Sequence, residues 1–198
     1  AETNWTVSAV PTNYTPPNRG DFTFGTWVPW WRMSMEDSYR RPYGGITQSF
    51  KGVTDAAGKH VLKIDFDSVN PPRPYSVRAY AAVHDVSRQT WSSTSDLLVH
   101  PSELYVGIRA ARTFVQKGEN ISIDSIVTNV DGDLISGRDV VIRAVLKDWA
   151  FENTSWVEKV VDEQVCSIRS AASPQKCVFT AKQGGRYAIE ATVRDDRE

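Results

Sequence analysis

The chain has 198 residues, 23 Lys and Arg against 24 Asp and Glu, a formal net charge of -1, 40% hydrophobic residues, 12 Gly and 10 Pro. That balance excludes a disordered chain and a collagen-like one, and it lacks the basic stripe that a general binder of nucleic acid or anionic membrane requires. No apolar run approaches the roughly 18 residues of a spanning helix, and Ala1-Glu2-Thr3-Asn4 has no signal-peptide pattern, so the sequence predicts a soluble protein or soluble piece without direct membrane insertion.

The branched residues set the class: 23 Val and 10 Ile stand against 6 Leu, with seven each of Trp, Tyr and Phe. β-Branched and aromatic side chains suit a pleated surface and lose rotamer freedom in a helix, so an all-β fold is expected.

The first unusual stretch is Asp21 to Gly45, which holds Trp27, Trp30, Trp31, Tyr39 and Tyr43 among badly placed prolines and fits no strand template. It reads as a long inserted loop, and long ordered loops often carry function. Its rings could stack on sugars or a peptide, or bury themselves against a sandwich or a neighbouring domain. After the turn Thr54 to Gly58, Val61 to Asp67 alternates with Leu62, Ile64 and Phe66 on one face, which predicts a strand. Asn70-Pro71-Pro72-Arg73-Pro74 separates it from a second strand, where Tyr75, Val77, Ala79, Ala81 and Val83 share a face.

The polar junction His100-Pro101-Ser102-Glu103 divides the chain almost in half, and six further strands follow. They are Leu104 to Ala110, Asn120 to Val130, Asp139 to Trp149, Trp156 to Ile168, Lys176 to Ala181 and Arg186 to Arg194, separated by turn sequences such as Asp131-Gly132-Asp133 and Gln183-Gly184-Gly185. Two tandem antiparallel β-sandwiches of the fibronectin or immunoglobulin type are therefore expected, residues 1–100 and 101–198, touching across a short linker.

Cys166 and Cys177 flank a turn at Ser170 to Gln175, so their thiols should face each other across adjacent antiparallel strands. A disulfide there implies an oxidising compartment, the alternative being two buried thiols in a reducing one. Zinc is not expected, because no Cys or His stands near enough to complete a set. His60, His84 and His100 are scattered, and there is no Gly-x-Ser-x-Gly elbow, phosphate-cradling Gly loop or His-Glu-x-x-His. Neither an enzyme nor a cofactor is expected. Asn129-Val130-Asp131-Gly132-Asp133 fails the spacing of a calcium loop and reads as an Asx-rich turn. Asn-x-Ser/Thr triplets begin at Asn4, Asn13, Asn120 and Asn153 and identify no organism.

A series of short segments resembles the macroglobulin-like domains of bacterial alpha-2-macroglobulins. In order they are Trp5-Thr6-Val7, Tyr14-Thr15-Pro16-Pro17-Asn18, Asp21-Phe22-Thr23-Phe24-Gly25, Thr54 to Gly58, His84-Asp85-Val86-Ser87-Arg88-Gln89 and the junction His100 to Ile108. Val165-Cys166, Lys176-Cys177-Val178-Phe179 and Gly184-Gly185-Arg186-Tyr187-Ala188-Ile189 are similar to the last strands of such a domain. The resemblance implies scaffold domains of a large periplasmic, cell-envelope or extracellular protease trap, whose partners are other domains of the same polypeptide and, through the whole protein, target proteases. Neither cysteine stands in the family's Cys-x-x-Gln thioester, since Ser167-Ile168-Arg169 and Val178-Phe179-Thr180 follow them, and no bait segment is recognisable.

Relative to the family's seven-strand domain, each half is expected to lack terminal strands, as in a fragment, and the exposed edges would admit a strand-exchanged oligomer. Trp27, Trp30, Trp31, Tyr39, Tyr43, Pro101, Leu104 and Tyr105 are the candidates for interdomain or partner contact. A carbohydrate-binding or adhesive module using the Trp/Tyr-rich loop is the alternative function.

Overall fold

The computed structural model describes residues 1–27, 45–65, 72–87, 89–152 and 155–195. The expected class holds: all the regular elements among them are strands, and every sheet is antiparallel. No helix in the described residues is long and apolar enough to cross a membrane. Of the Asp21 to Gly45 loop, residues 28–44 lie outside the described residues, as do Phe66 and Asp67.

The chain forms two compact units, and neither is continuous in sequence. The first comprises Ala1–Tyr14 and Val28–Pro101, the second Thr15–Trp27 and Ser102–Glu198. The polypeptide thus starts in the first unit, visits the second, returns, and finally leaves at the Pro101/Ser102 junction. The sequence reading placed all of residues 1–100 in one sandwich; the short segment Thr15–Trp27 departs from that, for reasons of packing given below.

The first unit is built on strands β1 (Glu2–Pro11), β3 (Ile46–Val53), β4 (Tyr75–His84) and β5 (Thr90–Val99), in the spatial order β3-β1-β4-β5. Register puts Trp5, Val7 and Ala9 of β1 on the same face as Ala81, Ala79 and Val77 of β4. Val7, Ala9, Tyr75 and Val77 are buried there, with Phe50, Leu62, Ile64, Ala79 and Val99 packed around them. Burying Val7 and Val77, 4% and 2% exposed, contributes about 1.5–3 kcal/mol each.

The segment Val61 to Asp67 is a correction to the sequence reading. Residues 61–65 form no strand, although their alternation is real: Leu62 and Ile64 pack into the core while Val61 is 86% exposed. Alternation reports which side of a chain is covered, not whether a hydrogen-bonding partner exists. The segment pairs with neither edge strand of the sheet and instead lies on the sheet face as a strap, with Leu62 and Ile64 against Val7, Ala9, Tyr75 and Val77. It gets there through the turn at Asp55, whose Oδ1 accepts the backbone N–H groups of Ala57 (2.9 Å) and Lys59 (2.8 Å).

The second unit is a sandwich of two sheets. One has the order β10-β7-β6-β2, from β10 (Gln175–Thr180), β7 (Asn120–Thr128), β6 (Tyr105–Ala110) and β2 (Thr23–Phe24); the other has β11 (Tyr187–Val193), β8 (Asp139–Glu152) and β9 (Ser155–Arg169), in that order. Ile123 and Val127 of β7, Cys177 and Phe179 of β10, and Val140, Ile142 and Ala144 of β8 close one core between the layers. All six strands expected after the junction are present with ends shifted by a few residues.

The visiting segment is held in this unit by its own sequence. Thr23 and Phe24 pair with Ile108 and Gly107, and the Phe24 ring lies where a Cβ at position 107 would stand. Phe22 and Phe24 are buried with Ile126, beside Tyr105 and Leu134. Arg109 donates to Asp21 Oδ2 at 2.6 Å and to Asp124 Oδ2 at 3.1 Å, with its guanidinium 4.5 Å from the centre of the Phe22 ring. Upstream, Pro16 is fully buried, and Arg19 Nε donates to the carbonyl of Gly132 at 2.8 Å. Removing the Phe24 ring is expected to destabilise the second unit by about 3–5 kcal/mol. Residues 102–198 alone should unfold at lower denaturant than the whole chain, and adding a peptide of residues 15–27 should restore part of the difference. Equal midpoints for the two polypeptides would contradict this account.

Candidate functional site

The most tightly connected polar constellation lies where β9, an edge strand of one sheet, meets β10, an edge strand of the other. From Asp162 to Ile168, every second residue of β9 turns inward. Cys166 forms a disulfide with Cys177, their Cα atoms 6.1 Å apart. The bond is present as expected from the sequence, but its setting differs: β9 and β10 are not adjacent strands of one sheet, and the disulfide ties the two layers together. The turn after Arg169 carries the chain across to the opposite layer, which a spacing of ten residues cannot distinguish from a hairpin.

Two residues before Cys166, the amide of Gln164 serves as a short piece of artificial strand. Its Nε2 donates to the carbonyl of Thr180 (2.8 Å), and its Oε1 accepts from the Thr180 backbone N–H (3.0 Å). Both backbone groups at the end of β10 are thus satisfied by a side chain of the other sheet. Two residues earlier again, Asp162 accepts from Lys182 Nζ (3.0 Å), Gln164 Nε2 (2.8 Å) and Tyr187 Oη (3.1 Å). Its side chain is only 10% exposed. The hydrogen bonds from Lys182, then Gln164 and Tyr187, hold its carboxyl below the usual carboxylate range.

A β-bulge makes this spacing work. Leu146 faces Asp162 and Lys147 faces Val160, so Val161 has no residue opposite. The extra residue changes the phase of β9, keeping positions 162, 164 and 166 on the seam while Val160 and Val161 stay exposed. Beyond the bulge β11 has no counterpart, since its pairing ends at Tyr187 opposite Leu146, and β8 and β9 run on as a two-stranded ribbon.

The contact candidates named from sequence fall in several places. Trp30, Trp31, Tyr39 and Tyr43 lie outside the described residues. Trp27, at the end of the visiting segment, is 55% exposed. Pro101 is exposed, whereas Leu104 packs on the main core of the second unit and Tyr105 on the Phe22, Phe24 and Ile126 cluster. The junction is tied down inside that unit, with Ser102 Oγ donating to Asp195 Oδ2 at 2.9 Å.

The scattered histidines are all engaged within the first unit: His60 with Trp5, His84 with Thr90 Oγ1 (2.9 Å), and His100 edge-on to Tyr14 with ring centroids 4.7 Å apart. The Asn129 loop is the Asx turn its sequence predicts, Asn129 Oδ1 accepting the N–H groups of Asp131 (3.0 Å) and Asp133 (2.8 Å). Among the described residues no group of three His, Cys, Asp or Glu side chains is placed to hold a metal. What the seam can do chemically is resist separation of the two layers. Sequence reasoning found its cysteines and missed Asp162, Gln164 and Lys182, although the alternation of 162, 164 and 166 ahead of the second cysteine was there to read.

Two measurements check this seam. Replacing Cys166 and Cys177 together by Ala should lower unfolding stability by about 2–3 kcal/mol, the loop-closure contribution. For Asp162, the lowered folded value means that its stabilisation is complete above the ordinary carboxylate range near about pH 4 and is lost as pH falls through that lowered value. Asp162→Asn should therefore flatten the acid limb of the stability curve, and parallel acid limbs in variant and wild type would argue against the assignment.

No protein-family model matches the chain. Among curated proteins it is similar to circularly permutated Ras protein 2 of Dictyostelium discoideum, 30% identical over 110 residues, covering 54% of this chain and 3% of that protein. Among solved structures it is similar to the native conformation of E. coli alpha-2-macroglobulin, with 14% identity and a TM-score of 0.49, over 100% of this chain and 14% of that one. It is also similar to Salmonella alpha-2-macroglobulin reacted with methylamine, with 14% identity and a TM-score of 0.47, over 97% of this chain and 13% of that one. The chain therefore spans a small fraction of each of these proteins.

Proposed function

We propose that this chain is scaffold from a larger macroglobulin-like polypeptide that traps endopeptidases, and that it works by holding surface and spacing instead of reacting. The observation that carries the reading is that the segments behind the family resemblance do structural work. Tyr14 packs edge-on to His100, Pro16 is buried, and Asn18 takes a left-handed turn with φ 59°. Asp21, Phe22 and Phe24 anchor the visiting segment. Asp55 and Asp85 each organise a turn, Asp85 accepting from the Val86 N–H at 2.7 Å and from Ser87 Oγ at 2.8 Å. Cys166 and Cys177 are consumed in the inter-sheet bond, and Tyr187 supports the seam.

In this reading the bait and the thioester belong to other parts of the polypeptide. Trp27, Trp30, Trp31, Tyr39, Tyr43 and Pro101 face sister domains, and Leu104 and Tyr105 set the junction from which they project. The disulfide supports a working place in an oxidising compartment, the periplasm, cell envelope or exterior.

The test uses the full polypeptide that carries these residues. Mixed with a serine endopeptidase, it should shield a large protein substrate while a small peptide substrate is still cleaved. Protection of neither substrate, or equal protection of both, would overturn the trapping reading.

A further inference from the structure

At the start of the strap over the first unit's sheet, His60 meets Trp5. Trp5 Nε1 donates to His60 Nδ1 at 3.1 Å, with the two rings tilted by 36°. An indole nitrogen can only donate, so this bond requires a His60 Nδ1 that carries no proton. The ring also has a prepared seat: a Cβ at Gly52 would fall on the imidazole, so the absence of a side chain there lets His60 lie on β3. Just downstream, Leu62 and Ile64 reach the core of Val7, Ala9, Tyr75 and Val77. Residues 61–65 have no strand ladder to hold them down.

We propose that His60 is an acid-released latch, its neutral imidazole fastening the strap of residues 59–65 to the apolar face of the sheet through Trp5. Protonation converts Nδ1 from acceptor to donor and sets two N–H groups against each other, a change that imidazoles undergo between about pH 8 and 5. The sheet positions sharing this face around the ring are Thr3 and Trp5 of β1, Phe50 and Gly52 of β3, and Ala81 and Val83 of β4, none of them a carboxylate that could receive the imidazolium. On the strap and its turn, Lys59 is exposed, Lys63 and Asp65 face each other at 4.0 Å in solvent, and Asp55 is committed to the Ala57 and Lys59 N–H groups. Release uncovers the apolar surface formed by Val7, Val77 and Phe50, so that face becomes available in acid and closed at neutral pH.

The whole chain, labelled with 15N, tests this by NMR. At pH 8 the His60 ring should show an unprotonated Nδ1 and a protonated Nε2. The Trp5 indole N–H signal, assigned through Trp5→Phe, should move in one step on acidification. Binding of the apolar dye ANS should rise several-fold along the same curve, and His60→Asn, whose amide oxygen takes about the place of Nδ1 without titrating, should keep both readouts flat. A protonated Nδ1 at pH 8, an indole signal that does not move, or an undiminished dye response in His60→Asn would each overturn the latch.

Discussion

The missing side chain at Gly107 decides how this polypeptide is divided. Because nothing projects from β6 there, the Phe24 ring can approach the strand closely, and two residues of β2 complete the edge of a sheet whose other members come from after the junction. With Phe22 and Phe24 buried beside Ile126, and Arg109 gripping Asp21 while covering the Phe22 ring, the energetic centre of residues 15–27 lies with the second unit. The interleaved chain follows from this packing. A division in sequence at the Pro-containing junction would strand two aromatic rings in water on one side and uncover Ile126 on the other.

Within the second unit, hydrophobic burial and polar stitching have separate tasks. The core of Ile123, Val127, Val140 and Ile142 pulls the two layers together without fixing their lateral placement, since hydrophobic contact has no direction. Placement comes from the seam, where the disulfide, the Gln164 amide and the Asp162 carboxylate engage β10 and the turn beyond it. The bulge at Val161 keeps these three side chains in phase. Outside the seam this unit's ion pairs include solvent-exposed ones such as Arg143 with Glu163 (2.7 Å) and Lys147 with Glu158 (3.0 Å). Pairs of this kind typically contribute about 0–1 kcal/mol.

Legibility in the sequence followed burial. Among the six strands of the second half, β10 and β11 alternate along their length and β9 does so from Asp162 to Ile168, so period two located them within a few residues. β3 and β5 carry no such pattern: Thr90–Val99 reads Thr-Trp-Ser-Ser-Thr-Ser before its apolar end, and nearly every position is exposed on both faces. An edge strand pairs through its backbone, which leaves no mark in the side-chain pattern. β1 alternates weakly, through Trp5, Val7 and Ala9 among Thr and Ser, although it is central in its sheet. The strap showed the opposite error, alternation without a ladder. The cysteine pair could be found from sequence because the residue type advertises itself; that it joins two layers could not, because sheet membership is a long-range property. Trp5 and His60 meet across 55 positions, beyond the reach of any local window.

The order of threading also bears on how the molecule is made. A ribosome delivers residues 15–27 well before β6 and β7 exist, so Phe22 and Phe24 must wait for their seat while the intervening chain is synthesised, about 5–20 s at ordinary rates. During that interval the nascent first unit carries an unhoused aromatic segment between β1 and the rest of its sheet, a natural substrate for a chaperone that holds extended apolar chain. The dependence runs one way: every strand of the first unit has been delivered by Val99, whereas the second unit needs chain from both sides of the junction.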